Sequence, residues 1–341
     1  MTLSTIKPND RNIADTMFRY ALPTAALAYP VLLIFLHQSG RRLVEATDPA
    51  GNLLAGLAVT LSAALVYSVP LLSFAAILRS ADQTTRRLAH LAFAAPPLFT
   101  LIGVVFFFLD IANGDYVAWA VAWLGVLAYA ASASPRNAAY VPPAAWIKTA
   151  HGITAATILL IFLLWHIGNH VLAVWSLEKH KAIMDLLRLW YRSDLVQPIL
   201  VALLLWQLAS GLRLLWSKLP QAGDIYSSIQ TATAAYLAIY IPSHLIAVFV
   251  LGRWFLGIDT SFAWASGAPT GLLLDPWNVR LIPHYSLAVL FLIGHLAVGL
   301  RVVLLNHDVG TIAADRLTLI ICAIGSTVAL LITAAQLSVG R

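Results

Sequence analysis

Residues 151–170 read HGITAATILLIFLLWHIGNH. No charged side chain lies between His151 and His166. A run of about 20 mostly apolar residues is the length of a helix that crosses a bilayer. An open strand of the same composition would leave its backbone groups unpaired in hydrocarbon. Yet this run carries three imidazoles, and His166 and His170, four residues apart, share one helix face. Ionisable side chains inside a span are costly and usually mark function.

The rest of the chain repeats the apolar theme. Of its 341 residues, 60% are apolar and 11% charged, and the mean hydropathy is +0.82. A soluble domain carries about 25% charged residues and has too little interior for so many apolar side chains. The sequence therefore predicts an all-α, polytopic transmembrane helix bundle of about nine spans. The spans fall at 20–37, 53–78, 88–109, 116–133, 150–176, 195–216, 229–251, 285–305 and 317–337. The first run has no small-residue cleavage site after it, so it is read as a helix rather than a signal peptide. Pro135, Pro142 and Pro143 mark a boundary between an N-terminal four-helix part, residues 1–140, and a C-terminal five-helix part, residues 141–341.

Two connections carry patterns of their own. Lys181, Asp185, Arg188 and Arg192 recur at helical spacing, with Met184, Leu187, Trp190 and Tyr191 on the other face. That pattern predicts an amphipathic helix lying in the membrane interface. The 252–283 connection holds Trp254, Trp264 and Trp277, which suit the headgroup level. The formal charge of +6 comes from basic residues in short loops, which points to membrane topology and away from nucleic acid. With alternating spans, 12 Lys and Arg fall on the N-terminal side and 9 on the other, which predicts a cytoplasmic N-terminus in the cell (inner) membrane. The single cysteine, Cys322, excludes an intrachain disulfide and a multi-cysteine metal site.

Of the ten histidines, His166, His170, His244 and His295 lie within spans, and His37, His90, His151 and His284 lie near span ends. His180 and His307 fall in loops and are expected to be solvated. His166 is 16 residues past the start of its span and His244 is 15 past its own, in a span that runs the same way. Two imidazoles at equal depth on two helices are what a six-coordinate b haem requires, one from each side of the porphyrin. The competing account is two core histidines bonded to carbonyls or water.

An internal repeat adds to this. QLASGLRLL from Gln207 aligns with HLAVGLRVV from His295, and HVLAVW from His170 with HLIAVF from His244. Gln207 thus stands opposite His295 near the other membrane face. Gly211 and Gly299 either leave room for a flat ring or allow close helix packing. Arg213 and Arg301 either pair with haem propionates or anchor their helices at the surface.

His151, then fourteen residues, His166, two residues and Asn169-His170 resembles the first helix of the cytochrome b subunit of succinate dehydrogenases and fumarate reductases, in the single-chain, five-helix form with two b haems. The amphipathic connector, His244, and His295 before Gly299 continue in that family's order, so the resemblance covers roughly residues 146–337. It implies that His166 and His244 ligate the iron of one haem b and that His295 ligates a second. The family's other ligand to the second haem falls at Gln207, and an amide is a very poor iron ligand, so one haem is expected, and the second is either absent or held by His295 with a group from elsewhere, such as His90. The four N-terminal spans are foreign to the family.

The expected function is a haem-b membrane subunit that moves electrons between quinone and a redox partner. The resemblance implies that the partner is a flavoprotein with an iron–sulfur subunit, because this chain has neither motif. The alternatives are a proton-coupled transporter using His166, His170 and His244, or a haem-free membrane anchor. Only Asp110, which ends the third span, comes close to an intramembrane acid, and this weakens the transporter. Two groups are candidates for a quinone site: His151 with Lys148, or His37 with His170 and His284. The second is favoured because His170 is one turn from His166.

Overall fold

The computed structural model describes residues 8–133 and 141–340. Pro135 therefore lies outside the described residues. All regular structure among them is helical. The long helices are α1 (Pro8–Glu45), α2 (Pro49–Arg79), α3 (Gln83–Phe93), α4 (Ala95–Phe108), α5 (Gly114–Ser132), α6 (Ala145–Leu172), α7 (Leu177–Tyr191), α8 (Val196–Lys218), α9 (Ile225–Phe255), α10 (Asn278–Asn306) and α11 (Thr311–Ser338). Among the described residues, eight helices are long and apolar enough to cross a membrane, and α3 with α4 makes a ninth if the pair is one span. The chain is a multi-pass membrane protein.

The third expected span is the one that differs. It is two helices, α3 and α4, bent by 59° at Ala94. Pro96 and Pro97 have no N–H to offer the carbonyls one turn back, so the helix stops and restarts.

By internal contacts the chain forms two units, Met1–Tyr140 with Lys218–Ser243, and Val141–Ser217 with His244–Arg341. In the first unit, α1 packs on α2, α3 and α5. Its core is aromatic: Tyr29, Phe99, Trp119 and Trp123 are all buried, with the Phe99 and Trp119 rings 5.2 Å apart, edge to face. The buried Trp119 indole donates to the Ala26 carbonyl at 2.8 Å, which satisfies its N–H. Arg19 pairs with Asp82 at 3.1 Å, and Asp82 also caps α3 by accepting from the Thr85 amide at 2.9 Å. Asp110 is exposed, and among the described residues the buried acid is Asp115, in the first turn of α5.

In the second unit, α10 and α11 form a close antiparallel hairpin, and α7 packs back on the end of α6. The α7 helix, which includes the expected amphipathic segment, starts at Ser176, whose side chain accepts from the Lys179 amide. It buries His180 and Met184 and exposes Leu186, Leu189 and Trp190. Its basic face is tied down from outside. Arg188 donates to Asp259 and to the Thr260 carbonyl, both at 2.8 Å, and Arg192 reaches Asp259 at 3.4 Å. Gly252 makes this connection close-packed: a Cβ there would stand 2.5 Å from the Thr260 methyl.

Candidate functional site

Two sets of polar side chains lie inside the second unit. The larger begins with His166 and His244. Their helices are irregular at this level. α6 opens into a wide π turn at Leu159–Leu163, just before His166. α9 carries Pro242 within its helix and turns wide from Ile246 to Phe255, just after His244. Wide turns of this kind are rare and concentrate at functional positions. The two imidazoles stand 6.3 Å apart, centre to centre, with their planes at 64°.

Further rings extend the set in both directions. Phe162 stacks on His166 at 4.9 Å, and His170 meets His166 edge-on at 4.6 Å. His180 stacks on His170 at 5.4 Å with planes 23° apart. Phe262, from the single turn Phe262–Ala265, touches both, at 5.6 Å from His170 and 4.9 Å from His180. On the other side, Tyr285 lies 6.4 Å from His244 and 5.1 Å from His284. Six rings, from His180 through His170, His166, His244 and Tyr285 to His284, therefore form one continuous line of contacts.

His180 corrects an expectation. It is not solvated but 1% exposed. Burial, with the charge of Arg188 adding to it, holds its pKa below the usual 6.5, so the ring is neutral. The amphipathic pattern of α7 is legible from Lys181 onward, and His180, four residues before the inward-facing Met184, stands just outside it. His307 is exposed, as its loop position implies.

The smaller set lies at the other end of α6. Gln207 donates its side-chain amide to Nε2 of His151 at 3.0 Å, and Nδ1 of His151 reaches Oγ of Ser210 at 2.9 Å. The Ser210 hydroxyl already donates to the Trp206 carbonyl at 2.7 Å. It can therefore only accept from His151, which fixes the proton on Nδ1 and the lone pair on Nε2. Gly211 makes room for this ring: a Cβ there would meet Cε1 of His151 at 3.2 Å. The space beside Gly211 is thus filled by His151 rather than left for a flat ligand. Lys148, proposed as its companion, is exposed.

The remaining candidates divide. Arg301 donates to Asp315 at 2.6 Å, so its guanidinium has an acid partner within the chain. Arg213 is exposed. His295 is half-buried on α10. His37 and His90 belong to the first unit, where His90 is 3% exposed and its Nδ1 donates to the Arg86 carbonyl at 2.7 Å. Among the described residues, no three His, Cys, Asp or Glu side chains converge to hold a metal ion. Comparison with protein-family models, with curated proteins and with solved structures finds no match.

Proposed function

We propose that the chain is a haem-b membrane subunit that passes electrons between quinone and a redox partner. The observation that carries this reading is the spacing of His166 and His244. An imidazole nitrogen ligates a metal at about 2 Å and its ring centre lies about 1 Å further on, so two imidazoles on opposite sides of one iron have centres about 6 Å apart. The 6.3 Å between these rings meets that requirement. A haem iron needs only two protein ligands, so the lack of a three-residue metal cluster does not bear on it. Haem, when bound, supplies reversible one-electron chemistry.

The chain's own residues would hold it in the following way. His166 and His244 would hold the iron, each kept in place by a neighbouring ring, Phe162 for the first and Tyr285 for the second. The Gln207 level is not a second site in this reading, because Gln207 is occupied with His151. A flavoprotein with an iron–sulfur subunit, the cell (inner) membrane and a cytoplasmic N-terminus belong to the same proposal, on the strength of the sequence resemblance and the basic-residue balance. The line of imidazoles also suits a proton-coupled transporter, which is the second reading.

The colour of the purified chain separates them. A low-spin b spectrum with one haem per chain is expected, lost in His244→Ala and in His166→Ala. A colourless protein from haem-replete cells, or an unchanged spectrum in both variants, overturns the reading.

A further inference from the structure

We propose that His170 and His180, with Phe262 beside them, form the binding site for the head group of a lipid-soluble quinone. The inference rests on the electron-transfer reading above and places its exchangeable partner. Three elements contribute one ring each: the end of α6, the interfacial α7 and the turn at Phe262–Ala265. Nδ1 of His170 and Nε2 of His180 are buried with no hydrogen-bond partner among the described residues. A buried polar atom left without a partner is costly, because it has lost its water and gained nothing in return. Two of them on adjacent, nearly parallel rings call for a ligand that can answer both.

The chemistry of that ligand follows from its surroundings. A neutral imidazole offers one N–H and one lone pair. The pair can therefore donate to carbonyl oxygens or accept from hydroxyls. Phe262 and the two stacked imidazoles make flat, largely apolar surroundings for those polar atoms, which suits a planar ring lying against the edge of the stack. A quinone or quinol has both parts: oxygens at opposite ends of a planar, apolar ring.

The location favours a ligand that travels in lipid. Further along the helix that buries His180, α7 exposes Leu186, Leu189 and Trp190, while Arg188 and Arg192 hold its polar face to Asp259. A lipid-soluble molecule can reach this helix from the side, close to water for its proton exchange. His170 is also in ring contact with His166 at 4.6 Å, so the site adjoins the proposed haem ligand.

The test uses the full-length chain in detergent, titrated with decylubiquinone and with a short-tailed menaquinone, with binding followed by tryptophan fluorescence. His180→Phe keeps the stacked ring and removes both nitrogens. A loss of at least tenfold in affinity is expected for whichever quinone the wild type binds. His180→Gln retains an amide donor and should lose less, which keeps the test decisive if the Phe variant fails to fold. Wild-type affinity in both variants, or no binding of either quinone to the wild type, overturns the proposal. The latter result would leave water as the partner of the two nitrogens. The Soret band recorded on the same samples reports the haem reading separately. A colourless chain that binds quinone through His180 keeps this site and removes the haem; a coloured chain with a silent His180 does the reverse.

Discussion

Gln207 and His151 are joined by a side-chain hydrogen bond of 3.0 Å, inside the unit and between two spans. Removing the amide leaves the Nε2 lone pair of a half-buried ring without its donor. Gln207→Ala should therefore cost about 1–3 kcal/mol, read as a lower midpoint of thermal unfolding in detergent. Ser210→Ala removes the acceptor on the other side of the same ring, and the double variant should cost less than the sum. An unchanged midpoint in Gln207→Ala would show that the contact contributes nothing.

The anchoring of α7 should depend on one carboxylate. Burial would raise the pKa of Asp259, but its hydrogen bond to Arg188 and the charges of Arg188 and Arg192 outweigh that and hold it below 3.8. Its contribution is present above 3.8 and is lost as the pH falls through the lowered value of the folded chain. The Asp259 side chain is 55% exposed, so Asp259→Asn should cost about 1 kcal/mol or less. Hydrogen exchange of the amides in Leu177–Tyr191 should speed up in that variant at neutral pH, while exchange in α10 does not change.

The buried ring of His180 should give the chain a sensitivity to mild acid. Its pKa in the folded chain is lowered, chiefly by burial and then by Arg188, so the unfolded chain binds the proton more readily. The stability it contributes is present above pH 6.5 and declines as the pH falls below that value. The slope of unfolding midpoint against pH just below 6.5 should be shallower in His180→Phe than in the wild type. Identical slopes would mean that His180 is protonated at little cost.

In the first unit, Asp82 has two duties. It caps α3 through the amide and hydroxyl of Thr85, at 2.9 and 2.8 Å, and it pairs with Arg19. Asp82→Ala should cost about 1–2 kcal/mol and Asp82→Asn less, because an amide still caps. Burial would raise its pKa, but these bonds together lower it, so the difference between wild type and Asp82→Asn should shrink as the pH falls below 3.8. Denaturant midpoints of the three proteins at pH 7 and at pH 3.5 would measure it.

The helical, membrane-spanning character of the chain was legible because composition alone forces it: runs such as 53–78 have no other solvent than lipid. The break at Ala94 was less legible, since Pro96 and Pro97 sit in a run whose hydropathy is uninterrupted. His166 and His244 could be paired in advance because depth in a membrane is counted directly in residues. His180 could not, because the face that a surface helix buries depends on what packs against it. The Gln207–His151 bond was hidden for a related reason: the repeat pointed Gln207 toward His295, and nothing in the pattern weighed a partner on α6.

The two wide turns in α6 and α9 have a consequence for angle rather than depth. A π turn holds one residue more than an α turn, and one residue is about 100° of rotation about the helix axis. The widening at Leu159–Leu163 takes up one residue without turning the helix that follows, so His166 and His170 keep the compass bearing a regular helix would give them, and the longer widening at Ile246–Phe255 lies where the chain departs toward Asp259. Deleting a single residue from 159–163 would let the turn tighten to an α turn and leave both imidazoles on their line to His244. The span thus carries an extra residue and still holds its histidines on station.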